Sequence, residues 1–345
     1  MVKQHGKLFF AAIALAVLIF DSKTAATGAA EGIALCLTAV IPSLFPFIFL
    51  SSVLVNALGE NDGKFAHQIE RAFRMPPGSS RYFLTGILGG YPTGAACIAE
   101  GHRLGRLDRQ QAEFLLCFCN NAGPAFLFGI AGSFCSVGQA FLLWGIHILS
   151  ALLTCVFLPK PTAGNAIQSG MRNNPTLSAV LVRSVKSMGT VCGWIVLFRI
   201  LISFCDRWFL WLFPTFVKVI FYGILELTNG CCSLGAVPSP AVRFLLFSAF
   251  LSFGGLCVGM QTQAVVAPLS IRRYRIGKCI QCLISLVLCG ILIPFLFPGE
   301  AMAKYIIYIA GISAALLMGI LLCCSKKTVD FPAVMIYTRE KSAKG

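Results

Sequence analysis

The feature that most constrains this chain is a series of apolar runs, each long enough to cross a lipid bilayer. A helix of roughly 20 residues spans a hydrocarbon core about 30 Å thick. Charged residues make up only 12% of the sequence, about half of the roughly 25% typical of soluble domains, so most of the surface must face lipid. We therefore predict an all-α polytopic membrane protein with about eight transmembrane helices. They cover residues 8–26, 32–58, 112–134, 139–158, 187–205, 244–268, 279–298 and 304–324.

Two further apolar segments, residues 83–99 and 219–235, are interrupted at their centres. The first centre reads GGYPTG from residue 89, and the second reads ELTNG from residue 226. A continuous membrane helix fits both poorly, because proline removes a backbone donor, each glycine costs about 1 kcal/mol, and a glutamate in lipid is costly. Interrupted backbone at membrane depth survives only where protein or a water-filled cavity covers it. We predict two re-entrant hairpins, each entering and leaving the membrane on the same side.

The basic residues predict the topology. With the N-terminus in the cytoplasm, the predicted inner segments hold 22 Lys and Arg residues, Lys278 among them, and the outer segments hold five. This asymmetry follows the positive-inside rule. The net charge of +15 is therefore assigned to cytoplasmic loops and not to nucleic-acid binding. We expect a multi-pass protein of the cell (inner) membrane with both termini in the cytoplasm.

The order of elements is the same in two parts of the chain. Residues 32–158 and residues 187–298 each read as span, hairpin, span and span, and the first part starts outside whereas the second starts inside. This is an inverted repeat, the architecture of many secondary transporters. The other segments are predicted to be a signal-anchor helix at 1–31, a cytoplasmic linker at 159–186, and a last transmembrane helix with a basic cytoplasmic tail at 299–345.

In each half a hairpin precedes a helix that is interrupted by glycine and amide residues. Such interruptions expose half-helix ends, whose free N–H and C=O groups carry partial charge near the bilayer midplane. Amide side chains add paired donors and acceptors, which suit a polar neutral or zwitterionic solute. We expect both interruptions to meet at one site, with the asparagine pair facing the second hairpin. The predicted substrate-binding residues are Gly90, Tyr91, Pro92, Thr93, Gly94, Asn120, Asn121, Gly123, Pro124, Glu226, Thr228, Asn229, Gly230, Gly254, Gly255 and Gln261.

Each of these features also has a purely structural interpretation. The paired asparagines would satisfy carbonyl groups freed by the following proline, the tyrosine–proline pair would form only a turn, and the paired glycines would let helices pack closely. Glu226 is the sharpest single candidate, because a carboxylate inside a membrane is functional by default. Its alternative is a structural ion pair with Arg199. His147, alone in an apolar span, is interpreted as a packing residue.

The sequence has no signature of an enzyme. It contains no HExxH, GxSxG or Walker motif, and none of the predicted spans carries paired carboxylates. Most of the 16 cysteines lie in apolar runs, where cysteine packs as a small hydrophobic residue, and the cysteine doublets lack zinc-site spacing. We expect no enzymatic activity, no metal and no cofactor. The expected partners are the lipid bilayer and a small polar solute, with self-association into a homo-oligomer left open.

Five short motifs carry a resemblance to a known family. They are IPSLFPF at 41–47, GYPTGA at 90–95, CNNAGP at 119–124, ELTNG at 226–230 and GGLCVGMQ at 254–261. With these motifs the chain resembles the sporulation integral membrane proteins of the YlbJ type over roughly residues 32–290. One departure is Gly89, which stands where the family pattern has a serine.

The resemblance implies a gate, or nucleoside-recognition, domain shared with concentrative nucleoside transporters and with the membrane domain of ferrous-iron transporters. It also implies a Gram-positive endospore former and a role in building the spore, in particular its cortex, without naming a substrate. The leading hypothesis is a secondary-transporter-like protein that moves a small polar solute, with a nucleoside-like cargo as one option. The alternatives are a non-transporting membrane scaffold or assembly factor, and a membrane enzyme.

Overall fold

The chain folds into helices that cross a membrane. The computed structural model describes residues 2–58, 64–132, 134–161, 176–300 and 303–326. All secondary-structure elements of this described part are helices, and it contains no strand. Large apolar side chains face outward, with Phe20 90% and Phe295 80% exposed, as lipid surroundings allow. The protein is an all-α polytopic membrane protein, as predicted. Six helical stretches among the described residues are long and apolar enough to span a bilayer, namely Ser22–Leu50, Arg109–Ala131, Val137–Phe157, Leu177–Trp208, Pro240–Val266 and Arg272–Leu296.

The described helices are numbered in chain order. The first half contains α1 (Val2–Phe20), α2 (Ser22–Leu35), α3 (Ile41–Leu58), α4 (Lys64–Ala72), α5 (Ser80–Gly89), α6 (Thr93–Arg103), α7 (Arg109–Cys119), α8 (Pro124–Ala131) and α9 (Val137–Phe157). The second half contains α10 (Leu177–Trp208), α11 (Thr215–Leu225), α12 (Leu227–Cys232), α13 (Pro240–Phe253), α14 (Gly255–Val266), α15 (Arg272–Leu296) and α16 (Ala303–Lys326).

Two predicted boundaries differ from the structure. The first predicted span, 8–26, is divided at Asp21, where α1 ends and α2 begins. α2 then continues through a π-helical turn at Cys36–Val40 into α3, so the predicted separation before residue 32 is wrong. Small residues fill this stretch of the sequence, and they continue a helix as readily as they end one.

The second difference lies in the predicted linker, 159–186. α10 begins at Leu177 because Thr176 caps it, its hydroxyl accepting a hydrogen bond from the amide of Ala179 at 3.3 Å. The end of the predicted linker is therefore helix. Residues 162–175 of the linker and 327–345 of the predicted tail lie outside the described residues.

Both segments predicted to be re-entrant form helical hairpins. α5 and α6 are joined at residues 90–92, and α11 and α12 are joined at Glu226. Each arm has at most 11 residues, which is about 17 Å at 1.5 Å per residue and too short for a hydrocarbon core of about 30 Å. A helix interrupted in its middle follows each hairpin: α7–α8 at residues 120–123, and α13–α14 at Gly254. This common order agrees with the inverted repeat, which stays a prediction.

α2 and α10 pack closely beside this hairpin region. A Cβ atom added at Gly28 would lie 2.9 Å from the Cα of Ile200, and one added at Gly32 would lie 2.9 Å from the Cα of Val196. Side chains larger than glycine would therefore push the two helices apart, which is the small-residue packing typical of membrane helices.

The same helix pair corrects a predicted contact. A guanidinium nitrogen of Arg199, on α10, lies 2.5 Å from a carboxyl oxygen of Glu31, on α2. The alternative interpretation of Glu226, an ion pair with Arg199, is wrong, because Arg199 faces α2 and the carboxyl group of Glu226 is bonded within its own hairpin. A second ion pair, between Arg207 and Asp21 at 3.0 Å, joins α10 to the start of α2.

Candidate functional site

The tip of the first hairpin lies against the interruption between α7 and α8. The chain turns at Gly90, whose φ of +71° favours glycine. A Cβ atom at Gly90 would lie 2.9 Å from the amide nitrogen of Gly123, and one at Gly123 would lie 3.1 Å from the Cα of Gly90. Because the two backbones approach this closely, glycine is required on both sides. The hairpin tip and the helix interruption thus form one unit.

The second hairpin meets the interruption between α13 and α14 in the same way. Gly255 has a φ of +76°, and a Cβ atom there would lie 3.2 Å from the amide nitrogen of Leu227 and 3.3 Å from the carbonyl oxygen of Gly223. The glycine pair therefore allows the close packing given above as its structural interpretation. Each half of the chain contributes one hairpin seated on one interrupted helix.

Tyr91 connects the two units. Its hydroxyl donates a hydrogen bond to the carbonyl of Leu251 at 3.3 Å, next to the interruption of the other half. A Cβ atom at Gly254 would lie 3.2 Å from the same hydroxyl oxygen. The tyrosine–proline pair is therefore more than a turn, because its ring bridges the first hairpin and the second interrupted helix.

A pocket lies where these units meet. It encloses about 530 Å³ of empty space, counting its open mouth. Apolar side chains and glycines form most of the wall, and Tyr91, Glu226, Thr228 and Gln261 are the polar residues of the lining. The lining residues are Leu44, Phe47, Ile48, Leu88, Gly89, Gly90, Tyr91, Ala122, Gly123, Ala125, Phe126, Val191, Ile195, Glu226, Leu227, Thr228, Val258 and Gln261.

Glu226 is the acidic residue of this lining. Its side chain is buried, and the residue stands at the start of α12, where helix amides have no partner within the helix. One carboxyl oxygen accepts from the amide of Thr228 at 3.0 Å, and the other accepts from the amide and the side chain of Asn229 at 2.7 and 2.8 Å. These bonds fix the carboxyl group at the edge of the pocket and satisfy the start of the short helix.

The asparagine pair faces away from the second hairpin. Asn120 accepts a hydrogen bond from the amide of Ala95 at 3.2 Å and donates one to the hydroxyl of Thr262 at 3.0 Å. Asn121 donates to the carbonyl of Phe118 at 2.6 Å. The expected contact between this pair and the second hairpin is wrong, because Asn120 binds α6 and α14, whereas Asn121 binds α7 and α15. The bond to Phe118 satisfies a carbonyl group at the end of α7, which is not a carbonyl freed by Pro124.

The side-chain oxygen of Asn121 contacts a residue, Lys278, that is not among the predicted site residues. Lys278, on α15, is only 2% exposed. Its ammonium nitrogen lies 3.1 Å from the side-chain oxygen of Asn121 and 2.8 Å from that of Gln281. It also lies 5.2 Å from the ring centre of Tyr91 and 5.8 Å from that of Tyr274. A buried lysine thus stands directly behind the tyrosine that lines the pocket.

The assignment of Lys278 to a cytoplasmic loop is wrong. α15 begins at Arg272, so Lys278 lies in its second turn, on the same face as Tyr274 and Gln281. That face packs on α7, where a Cβ atom at Gly277 would lie 2.7 Å from Cys117. The spacing i−4, i, i+3 of three polar residues in an apolar helix is the signal that could have identified this site.

His147 also contacts the first interruption. It is buried, and its Nε2 accepts a hydrogen bond from the amide of Ala122 at 3.2 Å. Its carbonyl lies 3.4 Å from the amide nitrogen of Gln281. His147 therefore satisfies a free helix amide, in line with its interpretation as a packing residue.

The structure divides the predicted site residues into two groups. The pocket lining includes Gly90, Tyr91, Gly123, Glu226, Thr228 and Gln261. The others lie behind the lining as parts of hairpin arms, helix starts or helix contacts: Pro92, Thr93, Gly94, Asn120, Asn121, Pro124, Asn229, Gly230, Gly254 and Gly255. Sequence reasoning missed the apolar wall that α3 and α10 supply, because single apolar residues in spans carry no local signal.

A curated protein with a similar sequence is the sporulation integral membrane protein YlbJ of Bacillus subtilis (strain 168). The two sequences are 25% identical over 291 aligned residues, and the alignment covers 70% of each chain. No protein-family model matches the chain, and no solved structure matches it with significance. The similarity to an integral membrane protein agrees with the apolar helices, so the chain is a multi-pass membrane protein.

Proposed function

We propose that this protein is a secondary-transporter-like membrane protein that binds a small polar solute between its two hairpins and moves it across the membrane. The observation that carries the proposal is the pocket at which both hairpins and both interrupted helices meet. Irregular backbone at membrane depth is tolerated where protein covers it or where it lines a water-filled cavity, and discontinuous helices are where secondary transporters bind their cargo. The proposal includes no enzymatic activity.

The pocket chemistry limits the class of solute. Glu226 supplies carboxyl oxygens, Gln261 an amide, and Thr228 and Tyr91 hydroxyl groups, all within an otherwise apolar wall. A solute with hydroxyl or amino donors and one apolar face would satisfy these groups. A nucleoside-like molecule has both features, since its base offers a flat apolar face and its sugar offers hydroxyl donors.

The cellular role that we propose follows the relative. The similar protein from Bacillus subtilis is named for sporulation, and we propose that this chain also acts in spore formation, at the stage of the cortex. The basic loops favour a cell-membrane location with both termini in the cytoplasm. Assembly into a homo-oligomer stays open.

A thermal-shift screen of the purified protein against nucleosides, amino acids and other polar metabolites tests this proposal. Gln261 and Gln263 offer a matched pair on α14, because only Gln261 lines the pocket while Gln263 binds the carbonyl of Leu269 at 3.2 Å. We expect at least one compound to raise the melting temperature of the wild type and of Gln263→Leu, and to lose its effect in Gln261→Leu. Equal shifts in both variants would contradict binding in this pocket.

One observation favours the alternative function, a membrane scaffold or assembly factor that does not transport. The carboxyl oxygens of Glu226 are bonded to Thr228 and Asn229 of its own short helix. A carboxyl group used in this way stabilises the hairpin and needs no solute. A screen without any stabilising compound would favour this alternative.

A further inference from the structure

The surroundings of Lys278 are unusual for a buried cation. Burying an ammonium group without a paired anion costs several kcal/mol. Within the described part of the chain, the ion pairs join other residues, and the polar contacts of Lys278 are two neutral amide oxygens and two aromatic rings. A site built only to hold a permanent positive charge would be expected to supply a carboxylate.

The two amide oxygens are held in place by other bonds. The side-chain nitrogen of Asn121 donates to the carbonyl of Phe118, which leaves its oxygen directed at Lys278. The side-chain nitrogen of Gln281 lies 3.1 Å from that same oxygen, which leaves the oxygen of Gln281 directed at Lys278 as well. The site therefore presents two fixed acceptors.

Two fixed acceptors satisfy both protonation states of the lysine. A neutral amine has two N–H donors and an ammonium group has three. The two amide oxygens can hold two N–H bonds in either state, while the faces of Tyr91 and Tyr274 attract the cation through their π-electrons. Loss of one proton therefore leaves both amide oxygens with a donor.

The other titratable groups around Lys278 do not supply a fixed counter-charge. They are the phenols of Tyr91 and Tyr274, the imidazole of His147 on α9, and the thiols of Cys117 and Cys119 on α7. Such groups are ordinarily uncharged near pH 7 or, for imidazole, partly cationic. His147 keeps its Nε2 lone pair in the bond from Ala122, so binding a proton there would break that bond.

Tyr91 couples this site to the pocket. Its ring lies between the pocket, which it lines, and the ammonium group 5.2 Å from the ring centre. A solute that displaces the ring would remove the π-face from Lys278 and open the amine to water in the pocket. In that step the ammonium group would transfer one proton to water and keep two N–H bonds to the amide oxygens.

We propose that Lys278 is the proton-exchanging residue of this protein, so that solute movement is coupled to protons. The inference rests on the proposed transport function and names its coupling ion. A group with this role must change its protonation state within the pH range that cells maintain.

Nitrogen NMR of the full-length protein tests this directly and requires no solute. The protein is labelled with ¹⁵Nζ-lysine, placed in lipid nanodiscs and titrated with acid and base. Lys160 is the matched control for assignment, because its ammonium group also lies over a ring, 5.1 Å from the centre of Phe114, while the residue as a whole is exposed. We expect one lysine resonance to shift reversibly between pH 5 and 9.

Two variants assign the titrating resonance. Lys278→Met removes the amine and keeps the apolar stem, and Lys278→Arg keeps a permanent charge. The titrating resonance should therefore be missing from the spectra of both variants and present in the spectrum of Lys160→Met. A Lys278 resonance that stays in one protonation state over the whole range would overturn the proposal. This outcome is independent of the thermal-shift screen, because a screen without ligands overturns transport, whereas a silent Lys278 overturns only proton coupling.

Discussion

Replacing Glu226 with glutamine separates the hairpin-capping role of this residue from the ion pair with Arg199 that the sequence left open as an alternative. The carboxyl group accepts three hydrogen bonds, two of them on the oxygen that faces Asn229. A glutamine can keep its carbonyl oxygen there, which places its NH₂ group against the amide of Thr228. One buried N–H donor then loses its acceptor, which costs about 1–3 kcal/mol.

The magnitude can be measured as an unfolding free energy in mixed micelles of mild detergent and dodecyl sulfate. We expect Glu226→Gln to lower it by about 1–3 kcal/mol, and Glu226→Leu, which removes both acceptor oxygens, to lower it by more. If Glu226 also binds the solute, Glu226→Gln should additionally abolish the ligand-dependent rise in melting temperature while the protein still inserts into the membrane.

A double-mutant cycle tests the reasoning. Arg199 is paired with Glu31, so the effects of Glu226→Gln and Arg199→Leu should add within about 0.5 kcal/mol, as for independent sites. Glu31→Gln and Arg199→Leu should instead show measurable coupling. A coupling well above 1 kcal/mol between Glu226 and Arg199 would refute the placement of both side chains.

Two other predictions concern topology and packing. With native cysteines removed, an impermeant maleimide added to sealed cells should label Thr215→Cys and leave Leu104→Cys unlabelled. The reason is that residues 100–111 are expected to face the cytoplasm and residues 206–218 the outside. Labelling of Leu104→Cys would contradict the two-hairpin topology. Gly86→Ala should destabilise the protein by several times RT, because its Cβ would overlap the carbonyl of Cys119. The control Gly189→Ala lies in open space on α10 and should stabilise the protein by about 0.4–1 kcal/mol. Equal effects of the two substitutions in thermal unfolding would contradict the hairpin contact.

Much of the architecture could be predicted from the sequence because a membrane helix can be identified from its local sequence alone. Length and apolarity identify a span without reference to any other part of the chain. The two hairpins were predictable for the same reason, since the residues at 89–94 and 226–230 interrupt their own segments. The pairing of each hairpin with the following interrupted helix was not predicted, and it depends on close backbone approaches at Gly90, Gly123 and Gly255.

The contacts that decide the chemistry depend on how each helix is rotated, and the sequence does not state this. Lys278 stands three residues after Arg275 and was grouped with the basic loop, yet its face of α15 points into the protein. A similar expected depth makes Arg199 an alternative partner for Glu226, whereas close packing at Gly28 and Gly32 brings Arg199 to α2 instead. The depth of a charged residue in the membrane could be estimated from the sequence, but the direction in which its side chain points could not.

We propose that the pocket between the hairpins carries a solute across the membrane. The most direct test of this claim is uptake into sealed proteoliposomes from a defined mixture of nucleosides, amino acids and polar metabolites, with the internal contents identified by mass spectrometry. The account predicts that at least one small polar compound accumulates with the wild type and with Gln263→Leu, but not with Gln261→Leu or in protein-free vesicles. If correctly folded wild-type protein admits no compound above the protein-free level, the pocket is not a transport site and the claim fails.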